Sequence, residues 1–364
     1  MASLTRRPDG RWRARYRDPD GRERARHFDR KADAELWLAT VKTDILRGTY
    51  LDPEAGRTAF EQFAEKWRSQ QPHRPGTARL YERTLRLHVL PVIGNRQLGT
   101  LRRSDIQGLV AGLVTAGYKP KTVENVLRLI RAILNAAVDD GLIATSPCRK
   151  IVRPSIEDRH IVPLPLDGVQ RAVEVISPRM RALVLLSVGT GLRQGEALGL
   201  TVDRVNLLRR EVTVDRQLVK VVGQRPALGP LKTASSRRVV PLPGFVVDAL
   251  AAHLAAYPPN PEGLVFFGAN GEPFARAWLH RPWRTAITAS GLPETATWHL
   301  LRHTYASIDG GESVTVVARR LGHANPSETL RTYSHLWPDS DDRTRQVVEA
   351  AFSDCPALPS AEAR

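Results

Sequence analysis

The sequence has very little cysteine and no long apolar run. Only Cys148 and Cys355 occur in 364 residues, far apart and without metal-ligand spacing, which argues against a disulfide framework and a cysteine-based metal site. No stretch of about 18 or more apolar residues is present, so we expect no transmembrane helix. The N-terminus lacks the apolar core of a secretory signal, and we therefore expect a cytoplasmic protein.

Acidic residues are also in the minority. The chain carries 54 Lys and Arg against 38 Asp and Glu, a formal charge of +16. This balance predicts a polyanionic partner, and nucleic acid is favoured over a membrane surface because no basic amphipathic helix stands out. The excess is densest in residues 56–159, with 18 basic and 9 acidic side chains. We expect that segment to lie along phosphates.

The N-terminal segment predicts a small basic β-unit. Bulky and charged residues alternate on both sides of a turn at residues 18–21, as a hairpin requires. An apolar stripe then predicts a helix from Lys31 to Leu46. Residues 1–31 hold 11 basic and 5 acidic side chains, so the hairpin either enters a DNA groove or forms a solvated surface.

Residues 56–150 predict a helical bundle, because apolar residues recur at spacings of three and four. Ser104 and Thr122 are predicted to cap the N-termini of two helices. Gly117 and Gly141 are predicted to end them.

The second half of the chain predicts a mixed domain. Prolines and charges in residues 151–165 indicate a linker. Residues 166–352 contain helical runs and strand-like runs (EVTVDRQLVKVV, SRRVVPLP and GLVFF), which favours a helical domain with a small antiparallel sheet. Residues 353–364 predict a flexible tail. The expected fold class is therefore multidomain, mainly α with small antiparallel β-sheets.

Six residues in this domain suggest chemistry on a phosphodiester. Two guanidiniums, an ammonium, two imidazoles and a phenol are the groups needed to attack one without a metal: Arg193, Lys232, His299, Arg302, His323 and Tyr333. Taken singly, each has a more ordinary interpretation as a surface, solvated or half-buried residue. Taken together, they indicate an enzyme that cuts and rejoins DNA.

The spacing of these residues suggests a phosphate clamp. His299 and Arg302 are three positions apart and share one face of a helix. Arg302 offers a planar fork for two phosphate oxygens, and Gly191 allows a tight turn that leads Arg193 into a cleft. His323 lies in a turn suited to a phosphate-oxygen donor.

A nucleophile and an acid complete the set. Tyr333, in the polar stretch LRTYSHL and not on an apolar face, becomes a strong nucleophile once its proton is removed or shared. Lys232, expected on a hairpin tip at the start of a strand, would protonate a leaving oxygen.

The segments GTGLRQGEALGL, WHLLRHTYAS, LGH and TYSHL, in this order, resemble the tyrosine recombinase (phage integrase) family over about residues 165–350. The resemblance implies that Tyr333 forms a 3′-phosphotyrosyl bond, that Arg193 and Arg302 clamp the phosphate, and that no metal, ATP or other cofactor is needed. It also implies four supporting roles. His323 would donate to a phosphate oxygen, and Lys232 would be the general acid. His299 would assist proton transfer, and the carboxylate of Glu196 would buttress Arg193.

The resemblance also implies partners and leaves alternatives open. It implies arm-type binding by residues 1–55, core-site binding by residues 56–150, a homotetramer on double-stranded DNA, and accessory bending and directionality proteins. A C-terminal helix docks either on a neighbouring protomer or on its own domain. The rival functions are a non-cleaving DNA-binding regulator and a type IB topoisomerase.

Two local features depart from the family pattern or compete with its catalytic residues. The segment around Ser307–Gly311 is about two residues shorter than the usual helix and turn, and Asp309-Gly310-Gly311 makes an unusual helix end. His303 and His335 are nearby imidazoles, and we expect both to be non-catalytic.

Overall fold

The structure, a computed structural model, describes residues 2–19, 21–47, 50, 54–156, 161–220, 224–274, 276–308 and 313–334 and the single residues 345 and 349. It divides into two compact units, one up to residue 157 and one from residue 158. Within these described ranges, no helix is long and apolar enough to cross a membrane. The expected tail, residues 353–364, lies outside them.

The first unit begins with a three-stranded antiparallel sheet, in the order β1-β2-β3, backed by a helix. The elements are β1 (Ser3–Arg6), β2 (Trp12–Arg17), β3 (Glu23–Phe28) and α1 (Lys31–Leu46). The predicted hairpin and helix are confirmed, whereas β1 was not predicted. Tyr16 of β2 packs edge-to-face on Trp37 of α1, with ring centroids 5.3 Å apart.

A helical bundle follows, as predicted. Its helices are α2 (Phe60–Gln70), α3 (Pro75–Thr84), α4 (Leu90–Ile93), α5 (Arg103–Thr115) and α6 (Pro120–Asp139), and a π-helical turn over Leu85–Val89 joins α3 to α4. Apolar residues from these helices form one buried core, which includes Phe60, Ile106, Leu127, Ile130 and Ile133.

The predicted helix caps were wrong, whereas the predicted helix ends are confirmed. Arg102 and Lys119 are the N-cap residues, so Ser104 and Thr122 lie within the first turns. Proline suits the first helical position because its fixed φ matches the helix, and this starts α6 earlier than Thr122. Gly117 and Gly141 follow α5 and α6 with left-handed φ angles of +77° and +69°.

The first residues of the expected linker are hydrogen-bonded to the bundle. Gln107 pairs with both backbone groups of Val152, at 2.9 and 3.0 Å. Arg153 donates to Glu124 of α6 at 2.6 Å. This stretch therefore continues the compact surface of the first unit.

The second unit is the predicted helical domain with small antiparallel sheets. Its helices are α7 (Leu166–Val175), α8 (Pro178–Thr190), α9 (Gln194–Leu198), α10 (Gly244–Ala256), α11 (Arg276–Ser290), α12 (Trp298–Ile308), α13 (Val314–Leu321) and α14 (Pro326–Tyr333). A three-stranded sheet, in the order β4-β5-β8, contains β4 (Val205–Asn206), β5 (Glu211–Val214) and β8 (Arg238–Pro241). A separate hairpin pairs β6 (Arg216–Val219) with β7 (Ala227–Pro230).

Two predicted placements in this unit were wrong. GLVFF makes only isolated bridges, Thr201 with Leu264 and Phe267 with Pro273, because a short buried apolar run does not distinguish a strand from other core segments. Lys232 does not start a strand: it lies in the turn after β7, at the opposite end of the strand from the hairpin tip.

Candidate functional site

Two glycines in left-handed turns position the candidate arginines. Gly191 ends α8 with φ +64°, as expected, and Arg193 follows as the N-cap residue of α9. A Cβ at Gly191 would lie 2.5 Å from Tyr305, so the close packing also requires glycine. Gly322 ends α13 with φ +67°.

The carbonyl oxygens of these turns accept hydrogen bonds from the arginines. Arg302 Nη1 donates to Gly191 O at 2.7 Å, and Arg193 Nη2 donates to Gly322 O at 3.0 Å. Arg302 Nη2 also donates to Leu321 O at 2.7 Å. Each guanidinium is thus oriented by fixed backbone acceptors from residues more than 15 positions away.

Arg302 is the more deeply buried arginine. Only 2% of its surface is exposed. Burial, with repulsion from Arg193, lowers its pKa to about 10, which still leaves it charged at neutral pH. A buried cation held in one geometry is suited to stabilise negative charge on a phosphate without reorganisation.

Glu196 links Arg193 to a third arginine that the sequence interpretation missed. Its carboxylate accepts from Arg193 Nη1 at 2.9 Å and from Arg238 Nη2 at 2.8 Å. Arg238 lies on β8 and is almost fully buried, and it also donates to the carbonyl of Ser236 at 2.8 Å. The only sequence signal was an arginine at an inward position of a short alternating strand.

The charge state of Glu196 follows from these contacts. Burial raises the pKa of Glu196, but the charge and hydrogen bond of Arg238, together with Arg193, outweigh burial and leave that pKa below its ordinary value. Glu196 is therefore ionised at neutral pH and holds Arg193 in place.

Replacing Glu196 by glutamine should destabilise the second unit by about 3 kcal/mol, the lower end of the range for breaking a buried ion pair. Because the folded-state pKa is lowered, the stabilisation is present above the unfolded-state pKa and is lost as pH falls through the folded-state pKa. The stability difference between the two proteins should therefore shrink in acid.

Denaturant unfolding followed across pH measures this effect. Glu272→Gln is the matched control, since Glu272 forms a more exposed pair with Arg225 at 3.4 Å and surface pairs contribute little. Equal losses for the two variants would contradict the role assigned to Glu196.

Tyr333 is buried among apolar side chains, so the expectation that it does not lie on an apolar face was wrong. It is 1% exposed and packs with Ala306, Val317 and Leu321. These neighbours come from α12 and α13, so the sequence around the tyrosine does not reveal them. Burial raises the pKa of Tyr333, although the nearby guanidinium of Arg302 opposes the shift.

His303 contacts the tyrosine hydroxyl. Its Nδ1 lies 2.6 Å from Tyr333 Oη. The sequence analysis expected His303 to be non-catalytic and did not predict this hydrogen bond, because His303 and Tyr333 are 30 positions apart. His335, the other competing imidazole, lies outside the described residues, as do residues 309–312 of the unusual helix end.

His323 is neutral and fully engaged. Its Nε2 lies 3.0 Å from Arg302 Nη2 and its Nδ1 lies 2.7 Å from Thr329 Oγ1. Since arginine only donates, Nε2 accepts and Nδ1 carries the proton. Burial, with repulsion from Arg302 and the neighbouring cations, lowers the pKa of His323 to about 3.

His299 and Lys232 lie nearer the solvent. The His299 ring packs edge-to-face on His303, with centroids 4.6 Å apart, and desolvation followed by repulsion from Arg302 and Arg193 lowers its pKa. Lys232 is exposed. The following residues connect its turn to the site, since Thr233 bonds Ser236 at 2.9 Å and Ser236 lies 3.4 Å from Arg193 Nη1.

The structure thus brings together five of the six candidates, and places the sixth, Lys232, in an adjoining turn. Arg193, His299, Arg302, His323 and Tyr333 converge from α9, α12, the turn after α13, and α14. Arg238, Thr329 and His303 join them as partners that were not predicted.

Two relatives are similar to this chain in sequence over most of their length. It is 28% identical over 352 residues to a putative prophage phiRv2 integrase of Mycobacterium tuberculosis (strain H37Rv), covering 93% of this chain and 92% of the relative. It is 26% identical over 354 residues to an integrase of Mycobacterium phage L5, covering 90% and 92%.

Solved structures share the fold. The Tn1549 transposon integrase in complex with a circular intermediate DNA aligns with a TM-score of 0.70 at 21% identity, covering 80% of this chain and 99% of that one. The lambda integrase tetramer bound to a Holliday junction aligns with a TM-score of 0.61 at 17% identity, covering 89% and 96%.

Three family models match in succession along the chain. They are the phage integrase N-terminal domain over residues 3–47, the phage integrase central domain over residues 60–153, and the phage integrase family over residues 164–339. Fold and matches together define a tyrosine-type site-specific DNA recombinase. The chain belongs to the phage integrase family.

Proposed function

We propose that this recombinase integrates and excises a phage or other mobile element through a 3′-phosphotyrosyl intermediate formed by Tyr333. One observation carries the proposal. A buried phenol lies beside a buried, charged Arg302, and Arg302 and Arg193 are held by neighbouring carbonyl oxygens, Leu321 O and Gly322 O. A nucleophile and two phosphate-binding groups therefore share one small site.

Cleavage proceeds by attack of Tyr333 Oη on the scissile phosphorus. The Oη–P bond forms, the bond from phosphorus to the 5′-oxygen breaks, and a free 5′-hydroxyl remains. Arg193 and Arg302 stabilise the charge on the phosphate oxygens, and an arginine in such a position is typically worth about 10³–10⁵ in rate. Because the covalent link retains the phosphodiester energy, religation is the same reaction in reverse.

The remaining residues handle protons and charge. Lys232 is the general acid for the 5′-oxygen. It lies in a turn that is connected to Arg193 through Ser236, which bonds Thr233 and lies 3.4 Å from Arg193 Nη1. His323 is neutral in the DNA-free site, and a bound phosphate anion would raise its pKa by offsetting the guanidinium charges, which allows it to donate to a phosphate oxygen. His299 assists proton transfer from the edge of the site.

The chain upstream of the catalytic domain binds the DNA. Residues 1–55 form the arm-type domain. The sheet face opposite α1 supports this assignment, because strand alternation places Arg13, Arg15 and Arg17 on it. Residues 56–150 form the core-site domain, supported by their dense positive charge. Residues 151–165 link this part to the catalytic domain, residues 166–352, which a short tail follows.

The active assembly is a homotetramer on two DNA duplexes, since strand exchange needs four cleavage sites. The fold shared with the lambda integrase tetramer bound to a Holliday junction supports this arrangement. DNA-bending and directionality proteins complete it, at the nucleoid of a bacterial host. A non-cleaving regulator is disfavoured because it would have no use for a tyrosine beside Arg302.

Covalent capture on a suicide substrate tests the proposal. A duplex nicked close to the cleavage position loses its short 5′-hydroxyl fragment, so religation stops and the protein–DNA adduct accumulates. We expect an adduct that survives detergent, with the protein on the 3′-phosphate and a 5′-hydroxyl that polynucleotide kinase can label. No adduct on cognate attachment DNA, or attachment through a 5′-phosphate, would refute the proposal.

A further inference from the structure

The hydroxyl of Tyr333 lies within hydrogen-bond distance of one imidazole nitrogen. His303 Nδ1 lies 2.6 Å from Tyr333 Oη, and the positive charge of the nearby Arg302 guanidinium acts to lower the pKa of the phenol. A guanidinium has only donors, so Arg302 cannot accept the phenol proton. In the His303 tautomer that carries its proton on Nε2, the phenol donates to Nδ1, and the proton acceptor then lies within hydrogen-bond distance of Oη.

The other two imidazoles are poorly placed for this proton. Both nitrogens of His323 are engaged, with Arg302 at 3.0 Å and Thr329 at 2.7 Å, and its ring stacks parallel to that of Tyr333 with centroids 6.5 Å apart. His299 packs its ring on His303 and, among the contacts of the described residues, makes no hydrogen bond to the hydroxyl. His303 alone of the three directs a ring nitrogen at it.

We propose that His303 is a catalytic residue that accepts the phenol proton of Tyr333 during DNA cleavage and returns it during religation. The proposal rests on the proposed function of Tyr333 as nucleophile. As the Oη–P bond forms, the proton passes from Oη to His303 Nδ1 and leaves an imidazolium. The bond from phosphorus to the 5′-oxygen breaks, and that oxygen takes a proton from Lys232. Religation reverses every transfer.

The surroundings of His303 suit this task. Burial, with repulsion from His299 and Arg302, lowers its pKa to about 4, so the ring is neutral at pH 7 and, with its proton on Nε2, offers the Nδ1 lone pair. A phosphate anion bound between Arg193 and Arg302 would offset that repulsion. His303 would therefore become more basic when the substrate is present.

Crossed rescue experiments with the full chain test the proposal. His303→Ala should slow single-turnover cleavage of suicide DNA by about 10²–10⁴-fold, the usual range for general acid–base catalysis. His303→Asn places an amide oxygen near the position of Nδ1. This oxygen accepts a hydrogen bond but not a proton, so cleavage by the variant should be about as slow as by His303→Ala. A fluorotyrosine at position 333 releases its proton more readily. In the His303→Ala protein it should therefore raise the cleavage rate by at least about tenfold.

Lys232→Ala is the matched control, because it removes the other proton-transfer group. A substrate with sulfur in place of the bridging 5′-oxygen has a leaving group that needs no acid, so it should rescue Lys232→Ala but not His303→Ala. Fluorotyrosine should rescue His303→Ala but not Lys232→Ala. Equal duplex affinity and far-ultraviolet circular dichroism for all variants establish that they are folded.

Several results would overturn the role of His303. These are wild-type cleavage by His303→Ala, full recovery by His303→Asn, and no recovery with fluorotyrosine. They are distinguishable from failure of the proposed function, in which wild-type protein itself would form no covalent complex.

Discussion

Replacing Tyr333 by phenylalanine should abolish covalent capture of suicide DNA while leaving duplex affinity close to that of the wild type. The ring keeps its contacts with Ala306, Val317 and Leu321, so the packing survives. The variant lacks the oxygen that we propose forms the bond to phosphorus. The lost hydrogen bond leaves His303 Nδ1 without its buried partner, which costs about 1–3 kcal/mol of stability.

Denaturing electrophoresis measures capture, and peptide mapping of the wild-type adduct identifies the linked residue. Tyr257→Phe is the matched control: Tyr257 belongs to the same unit and packs against the Arg179 guanidinium, 4.2 Å from its ring centroid. This variant should capture DNA like the wild type. An undiminished adduct with Tyr333→Phe, or a wild-type adduct that maps to another residue, would reject Tyr333 as the nucleophile.

Replacing Arg302 by lysine should slow cleavage by about 10³–10⁵-fold, the range for an arginine that stabilises a transferring phosphoryl group. Arg302 donates to Gly191 O and Leu321 O while lying against His323, a geometry that needs a planar fork. An ammonium offers a compact point charge and cannot reproduce it. Cleavage should be slow but measurable, in contrast to Tyr333→Phe.

Single-turnover kinetics at saturating protein separate this loss from weaker DNA binding. Arg181→Lys is the matched control, because Arg181 is an exposed α8 residue that donates to Glu174 O at 3.0 Å. Its cleavage rate should equal that of the wild type. A loss of less than tenfold for Arg302→Lys would show that a positive charge alone is sufficient at this position.

Features that depend on neighbouring residues were predicted well. The helix from Lys31 to Leu46, the helix ends at Gly117 and Gly141, and the turn at Gly191 are confirmed. Apolar periodicity and glycine conformation act over a few residues, so the sequence shows them directly. The predicted helix starts were wrong, because the helices begin directly after Arg102 and Lys119, before the expected caps Ser104 and Thr122.

The composition of the candidate site was also largely readable from the sequence, whereas its geometry was not. The motifs around Arg193, Arg302 and Tyr333 predicted a set of side chains that the fold brings into one place. The motifs did not show that Tyr333 is buried or that His323 is already engaged with Arg302 and Thr329. Their roles in catalysis remain predictions that the experiments above address.

The sequence by itself determined the main helices and the order along the chain of the residues that we propose to act on a phosphodiester. Tertiary structure alone decided that His303 meets the hydroxyl of Tyr333, that Arg238 holds Glu196 ionised, and that Lys232 lies in a turn beyond its strand. The reason is physical. Local conformation depends on residues a few positions apart, whereas burial and electrostatic pairing depend on groups that only folding brings together, such as Arg238 and Glu196, 42 positions apart.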